Sequence, residues 1–200
     1  LDITDEALML RYARGDVGAF ELLLERHRRP LYGYLCRILK NKELAEDTFQ
    51  EVFIRVMKAR AKYRKTAKFS TWLYRIAHNA SIDALRREGY RKTESLSKPA
   101  SARGDSDFAL QDAIPSPNPG PDAEFDRRQF SGVLKQCIER LSPEQREVFV
   151  LRQYQDIPFR EIARVAGVTE STVKSRMRYA LKALRTMLIK ENIVEEVSTS

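Results

Sequence analysis

The sequence predicts an all-α protein of two small helical domains joined by a flexible linker, and three observations carry that expectation. Leu, Ala, Arg, Lys and Glu dominate the 200 residues, Gly and Pro number only 8 each, and β-branched runs are short. Apolar residues recur at helical spacing through residues 5–92 and again through 127–187. Between those blocks the chain turns rich in Ser and Pro and poor in apolar side chains. Such a segment cannot bury enough surface to offset its ordering entropy. The expected division is a first domain over 1–92, an acidic linker over 93–126, a second domain over 127–187 and a polar tail over 188–200.

In the first block an opening helix is expected from about Asp5 to Arg14, ending at Gly15. A second spans about Val17–Leu39, because Phe20, Leu23, Leu24, His27, Leu31, Tyr34, Leu35 and Ile38 keep helical spacing. Pro30 marks a kink or a break inside it. Asn41 and Lys42 turn the chain into a third helix running to about Ala61. Its buried face is Ala45, Phe49, Val52, Phe53 and Val56. A fourth helix runs from about Ser70 to Arg87 and is expected to stop at Gly89.

The second block opens with a helix over Arg127–Leu141. Ser142-Pro143-Glu144-Gln145 is then a helix start, with a capping Ser, Pro at the first position and Gln reaching back from the third. That helix carries Val148, Phe149 and Leu151 into a core. Ile157–Leu184 follows and reads as a helix-turn-helix. Ile162, Ala163 and Ala166 line a short first helix, Gly167 can take positive φ at the turn, and Val168 plugs the corner. Thr169 can cap a second helix whose inward residues are Val173, Met177, Ala180, Leu181 and Leu184.

Charge follows the same division. The formal net charge is +8, with 20 basic against 12 acidic side chains over 1–93, 2 against 7 over 94–126, and 14 against 9 over 127–200. Two basic blocks flanking an acidic connector suit two separate nucleic-acid contacts better than a membrane surface. The two cysteines, Cys36 and Cys137, lie far apart, which fits a reducing compartment and argues against a disulfide scaffold. His27 and His78 are isolated, so no zinc set can be assembled, and no cofactor or metal is expected. The sequence carries neither a signal peptide nor an apolar run near 18 residues. A soluble, cytoplasmic protein without membrane insertion is therefore expected.

Three surfaces stand out. The outer face of the last helix carries Ser171, Thr172, Ser175, Arg178, Tyr179 and Lys182 with Lys174 and Arg176 on its flanks, and it holds no acidic residue between Glu170 and Glu191. A helix of that kind can enter a major groove, where polar groups read base edges and cations hold phosphates. The stretch between Glu51 and Asp83 is also free of acids. It interleaves Arg64, Lys65, Lys68 and Arg75 with Tyr63, Phe69 and Trp72, the composition of a single-strand platform in which rings meet unstacked bases. Phe69 and Trp72 can equally be core residues of the fourth helix. Arg75, Asn79 and Arg86 share one narrow strip beside them. The third surface is the outer side of the third helix, where Ile54 is ringed by Asp47, Gln50 and Glu51; an exposed Ile among polar residues suits a protein partner.

These residues resemble a known family. ELAEDTFQEVFIRV at 43–56 and KFSTWLYRIAHNASIDALRR at 68–87 are similar to region two of the sigma-70 family of bacterial transcription initiation factors. LSPEQREVFVLRQYQDIPFREIARVAGVTESTVKSRMRYALKAL at 141–184 is similar to region four. Two modules without a middle domain resemble the extracytoplasmic-function (ECF) group. The resemblance implies that Asp47, Gln50, Glu51 and Ile54 bind the β′ clamp helices of core RNA polymerase. It implies that Tyr63–Ser70, with Trp72, Arg75, Asn79 and Arg86, opens the −10 element and captures it as single strand. It implies that the last helix reads the −35 element in duplex promoter DNA while its module sits on the β flap. The acidic linker would thread the channel that RNA later occupies, and an anti-sigma factor would be the regulator. The chain departs from many relatives in its basic, glycine-free loop Arg64–Lys68, in Ser171 where Gly is common, and in the pair Arg178-Tyr179. Those departures bear on promoter sequence and not on class.

A stand-alone helix-turn-helix regulator would explain 141–187 but leaves the basic-aromatic block without a purpose. A nuclease would need clustered carboxylates or His ligands at one site. Glu46, Asp47 and Glu51 cluster, but far from any second acidic pair. No catalytic residue is expected.

Overall fold

The computed structural model describes residues 3–65, 67–95 and 121–191. Most of the predicted linker (93–126) and of the predicted tail (188–200) lies outside them. Among the described residues there are eight α-helices and no strand: α1 (Asp5–Ala13), α2 (Val17–Leu39), α3 (Lys42–Ala59), α4 (Phe69–Ser95), α5 (Pro121–Arg140), α6 (Pro143–Gln153), α7 (Phe159–Ala166) and α8 (Glu170–Lys190), with a 3-10 turn at Arg60–Lys62.

Local chemistry sets most of the boundaries. Thr4, Asp16, Asn41, Ser142 and Thr169 each accept a hydrogen bond from a backbone N–H in the first turn of the helix that follows, satisfying one of its free donors. Before α6 the side chain that engages Ser142 is Glu144, at 3.0 Å, rather than the expected Gln145. Lys40 ends α2 in the left-handed region at φ 54°. Gly167 ends α7 at φ 66°, where a side chain would be strained, and this is the corner the helix-turn-helix needs.

α2 spans Val17–Leu39 as expected and runs through Pro30 without the break that was one of the two possibilities there. Two helix boundaries are corrected. α4 passes Gly89 and runs to Ser95, because one helical glycine costs only about 1 kcal/mol against the bonds of a continuing helix. α5 starts at Pro121, not Arg127, with proline at the first position, where its missing N–H has no partner to lose.

In the first half, α1 packs on α2, α2 on α3 and α3 on α4 around Leu8, Met9, Leu23, Leu31, Leu35, Val52, Val56 and Leu73. In the second, α8 packs across α5, α6 and α7 around Val148, Leu151, Ile162, Val173 and Ala180. Leu181, expected to face inward, is 48% exposed. It lies roughly 60–70° around the helix from the centre of the buried stripe. The halves also dock on each other, α7 along α4 and α6 against α2. Part of that seam is built on Arg146, buried on α6. It donates to the carbonyls of Ile138, Glu139 and Leu141 at the end of α5 and to Ile38 near the end of α2, at 2.9–3.3 Å. Two negative helix ends thus replace water around one guanidinium. Lys40 Nζ donates to the Glu139 carbonyl, and the Arg37 guanidinium sits 4.2 Å from the centre of the Tyr154 ring.

Candidate nucleic-acid interface

The helix-turn-helix places α8 with its basic side outward. Ser171, Lys174, Arg178, Tyr179 and Lys182 are exposed, while Thr172, Ser175 and Arg176 are half-buried. The Thr172 hydroxyl meets Thr169 Oγ1 at 2.8 Å, completing the cap. Lys174 pairs with Glu170 at 2.7 Å, an exposed contact that a phosphate can displace at little cost. The Arg178 guanidinium lies 5.5 Å from the centre of the Tyr179 ring. Arg176 turns toward the start of α6, where its charge helps hold the Glu144 carboxyl below the usual range, after the larger effects of Glu144's own backbone N–H and of Ser142. The helix thus offers its partner one exposed cationic strip with hydroxyls beside it.

The α3–α4 loop is built differently from its sequence reading. Tyr63 and Phe69 were candidates for meeting bases, yet they are 4% and 1% exposed. Both rings belong to the core. Tyr63 lies 5.1 Å from Trp72 and 6.3 Å from Phe69 between ring centres, and Phe69 lies 5.2 Å from His27. The physical reason is that α1 and α2 come over the loop and supply apolar surface that the local sequence does not reveal. Burial leaves the Tyr63 hydroxyl without a hydrogen-bond partner and pushes its pKa up to about 12, with Glu6 and Asp5 adding to the effect.

The start of α4 is held from a distance. The backbone N–H of Phe69 donates to Glu6 Oε1 of α1 at 2.7 Å, so a carboxylate 63 residues away does the work of a local cap. Asp5 beside it binds His27 at 2.7 Å and Arg26 at 2.9 Å, which ties α1 to α2 under the loop. Sequence reasoning missed this brace, and no local signal could have shown it.

What the loop leaves outside is the cationic part. Arg64, Lys65 and Lys68 are exposed, with Arg64 resting on the carbonyls of Ala61 and Tyr63 at 3.2 and 3.1 Å. Trp72 is half-buried, one side on Tyr63. Arg75, Asn79 and Arg86 are exposed along one strip of α4, with Ile82 (51% exposed) among them. A half-exposed indole at the head of a strip of cations and one amide can stack a base and track a strand's phosphates.

On α3, Asp47 and Gln50 are exposed and Ile54 is 43% exposed. Met57, three residues further and on the same side, is 40% exposed and extends the apolar spot; the i, i+3 spacing could have revealed it. Glu51 is not a free charge. It binds Arg55 at 2.5 Å and Arg87 at 2.9 Å, while Arg55 also binds Asp83 at 2.9 Å. Hydrogen bonds from Arg87 and Arg55 lower the Glu51 pKa, and one from Arg55 lowers that of Asp83. Depressed carboxylate pKa values stabilise the fold above the unfolded-state values, near 4, and that contribution disappears as pH falls through the folded values. The stability difference between the wild-type chain and Arg55→Gln should therefore be full at pH 7 and shrink below about pH 4. Thermal melts at pH 7 and pH 3 check it, and an equal difference at both would count against the network.

Among the described residues no group of three or more His, Cys, Asp and Glu side chains is placed to hold a metal ion, and no helix is long and apolar enough to cross a membrane.

Comparison with known proteins sets these surfaces in context. The family model for sigma-70 region 2 matches residues 23–91, and that for sigma-70 region 4 matches residues 131–184. The chain is 33% identical over 185 residues to the RNA polymerase sigma factor CarQ of Myxococcus xanthus, covering 90% of this chain and 95% of that one. It is 30% identical to the ECF RNA polymerase sigma factor SigW of Bacillus subtilis, covering 88% and 91%. Among solved structures, the sigma factor RpoE of Bartonella quintana in complex with the anti-sigma factor NepR aligns with a TM-score of 0.66 at 19% identity, over 85% of this chain and 96% of that chain. CnrH in complex with the cytosolic domain of CnrY aligns at 0.64 and 21%, over 93% and 97%. At those identities the structural likeness speaks to fold alone.

Proposed function

Because the chain belongs to the ECF group of the sigma-70 family, we propose that it is an alternative initiation factor that binds core RNA polymerase, reads a −35 element with α8 and opens a −10 element with the α3–α4 loop and α4. The observation that carries this reading is the pair of separate, outward-facing cationic strips, Arg75–Asn79–Arg86 on α4 and Lys174–Arg178–Lys182 on α8. A duplex-binding regulator needs only the second.

Polymerase contact is assigned to Asp47, Gln50, Ile54 and Met57 on α3, with the β′ clamp helices as partner and Glu51 as an internal brace of that face. The second module takes the β flap. Residues 1–92 and 127–187 form the two working modules. The acidic segment 93–126 occupies the RNA channel, where its negative charge mimics nucleic acid. The factor acts through binding free energy and not through bond-making catalysis. Its regulator is an anti-sigma protein, as for the RpoE relative named above. Its work is placed in the cytoplasm, with any membrane tether belonging to the inhibitor.

The test is run-off transcription with core polymerase on a promoter library, with and without the chain. New chain-dependent start sites are expected and would give both elements at once. No transcripts, together with tight duplex binding by the chain alone, would move the assignment to a stand-alone regulator.

Within that reading, Arg178→Ala is expected to reduce −35 discrimination by about 1–3 kcal/mol through loss of a bidentate base contact. Binding to single-substitution −35 duplexes checks it. A uniform loss over all sequences would make Arg178 a phosphate contact instead.

A further inference from the structure

We infer that Glu6 of α1 is a positioning residue for strand capture: its hydrogen bond to the Phe69 N–H holds the loop and the head of α4 in the pose that receives the −10 strand. The inference rests on the assignment of that loop and of α4 to the −10 element.

The start of α4 needs such a residue. The first turn of a helix has N–H groups with no partner inside the helix. Lys68 stands at the cap position, since its carbonyl accepts from the Trp72 N–H at 3.2 Å. A lysine side chain has no acceptor and cannot close the turn. The Glu6 carboxylate does so instead, 2.7 Å from the Phe69 nitrogen. Glu6 also lies in the first turn of α1, so one half-buried carboxylate stands at the positive ends of two helices.

α1 holds the loop at its other end as well. It touches the 3-10 turn at Arg60–Lys62, where the Arg60 guanidinium lies 5.5 Å from the centre of the Tyr12 ring. α1 is itself fixed to α2: Asp5 binds His27 and Arg26, and Tyr12 stacks on Phe20 at 4.6 Å between ring centres. Between these two anchors the loop presents Arg64, Lys65 and Lys68, with the half-buried Trp72 following in the first turn of α4. The Glu6 hydrogen bond thus ends on the main chain beside Lys68 and within one turn of the indole.

A strand meets this surface only when the loop holds that pose, so apparent affinity scales with the fraction of molecules that hold it. Without the cap the Phe69 N–H must turn to water, the head of α4 frays, and the fraction falls. Charge alone gives the opposite sign. A carboxylate near a chain of phosphates repels it, so its removal would tighten binding. Glutamine separates the two effects, because it loses the charge but keeps an acceptor oxygen.

The test compares Glu6→Ala and Glu6→Gln with the wild-type chain, each full-length and assembled with core polymerase. The probe is a single-stranded oligonucleotide carrying the −10 element found by run-off transcription. Glu6→Ala should bind it at least fivefold more weakly, while Glu6→Gln stays within twofold of wild type. Affinity for core polymerase and for −35 duplex should be unchanged in both variants, which general damage to the fold would not allow. Hydrogen exchange on the free chains gives a second readout. The Phe69 amide should exchange at least fivefold faster in Glu6→Ala, with helix content unchanged by circular dichroism. Strand binding by Glu6→Ala as tight as wild type or tighter would overturn the inference. So would equal losses in the alanine and glutamine variants, equal losses of strand, core and −35 binding, or unchanged exchange at Phe69. Failure of the wild-type holoenzyme to bind any −10 strand would strike the functional assignment, whereas the exchange rate at Phe69 judges the cap separately.

Discussion

Replacing Arg146 with methionine is expected to destabilise the chain by about 3 kcal/mol, because buried main-chain carbonyls lose hydrogen bonds from a charged donor. Arg146 is 5% exposed, and burial lowers its pKa, with Glu139 acting in the opposite sense. Its guanidinium answers four main-chain carbonyls. Methionine fills a similar volume but donates nothing, so those carbonyls at the ends of α5 and α2 lose their partner in a place that water cannot easily reach. Arg146→Lys should recover only part of the loss, because a single ammonium cannot span a planar fork of acceptors. Arg140 makes the control. It is exposed and pairs with Glu191 at 3.2 Å, and its methionine variant should change stability by less than about 1 kcal/mol. Urea unfolding followed by circular dichroism measures all three. An Arg146→Met value within 1 kcal/mol of wild type would show that the carbonyl cradle matters little.

The second large effect separates residues that build the strand-opening surface from those that touch DNA. Phe69→Ala should cost about 3–5 kcal/mol of stability, since it removes a fully buried ring from the cluster of Tyr63, Trp72 and His27. Any loss of promoter opening would follow from that damage. Asn79→Ala should leave stability within about 0.5 kcal/mol, as expected for an exposed position. It should nevertheless weaken open complexes while polymerase binding stays intact. Trp72→Ala falls between: it loses some packing and, if the indole stacks a base, a further 1–3 kcal/mol or so of single-strand binding. Melting curves paired with open-complex assays distinguish the cases. Unchanged opening by Asn79→Ala would remove it from the site, and an undisturbed melt of Phe69→Ala would contradict its place in the core.

Asn79, Arg75 and Arg86 were legible as a strip because helical geometry places residues four and seven apart on one side, whatever the helix packs against. The last helix was legible for the same reason; Thr169, which caps it, and Gly167, which ends α7 before it, act within three or four residues. Leu181 was misplaced because periodicity gives the direction of the buried stripe but not its width. Tyr63 was misread, and Phe69 was left open between core and surface, because basic-aromatic composition is the same whether the rings face solvent or a neighbouring helix. Glu51 looked like a contact residue, although its partner Arg55 was visible at i+4; Arg87 of another helix was not.

The sequence by itself determined the order of the helices, the local caps such as Ser142 and Thr169, the two cationic strips and the family, since each depends on interactions over a few residues or on motifs written in order along the chain. Only the tertiary structure decided that Glu6 caps α4, that the loop's rings are buried, that Arg146 closes two helix ends, and that Glu147 joins the two halves. Those contacts link residues 63, 108 and 113 positions apart. Their partners are chosen by how whole helices pack, and no local rule of spacing or propensity reaches that far.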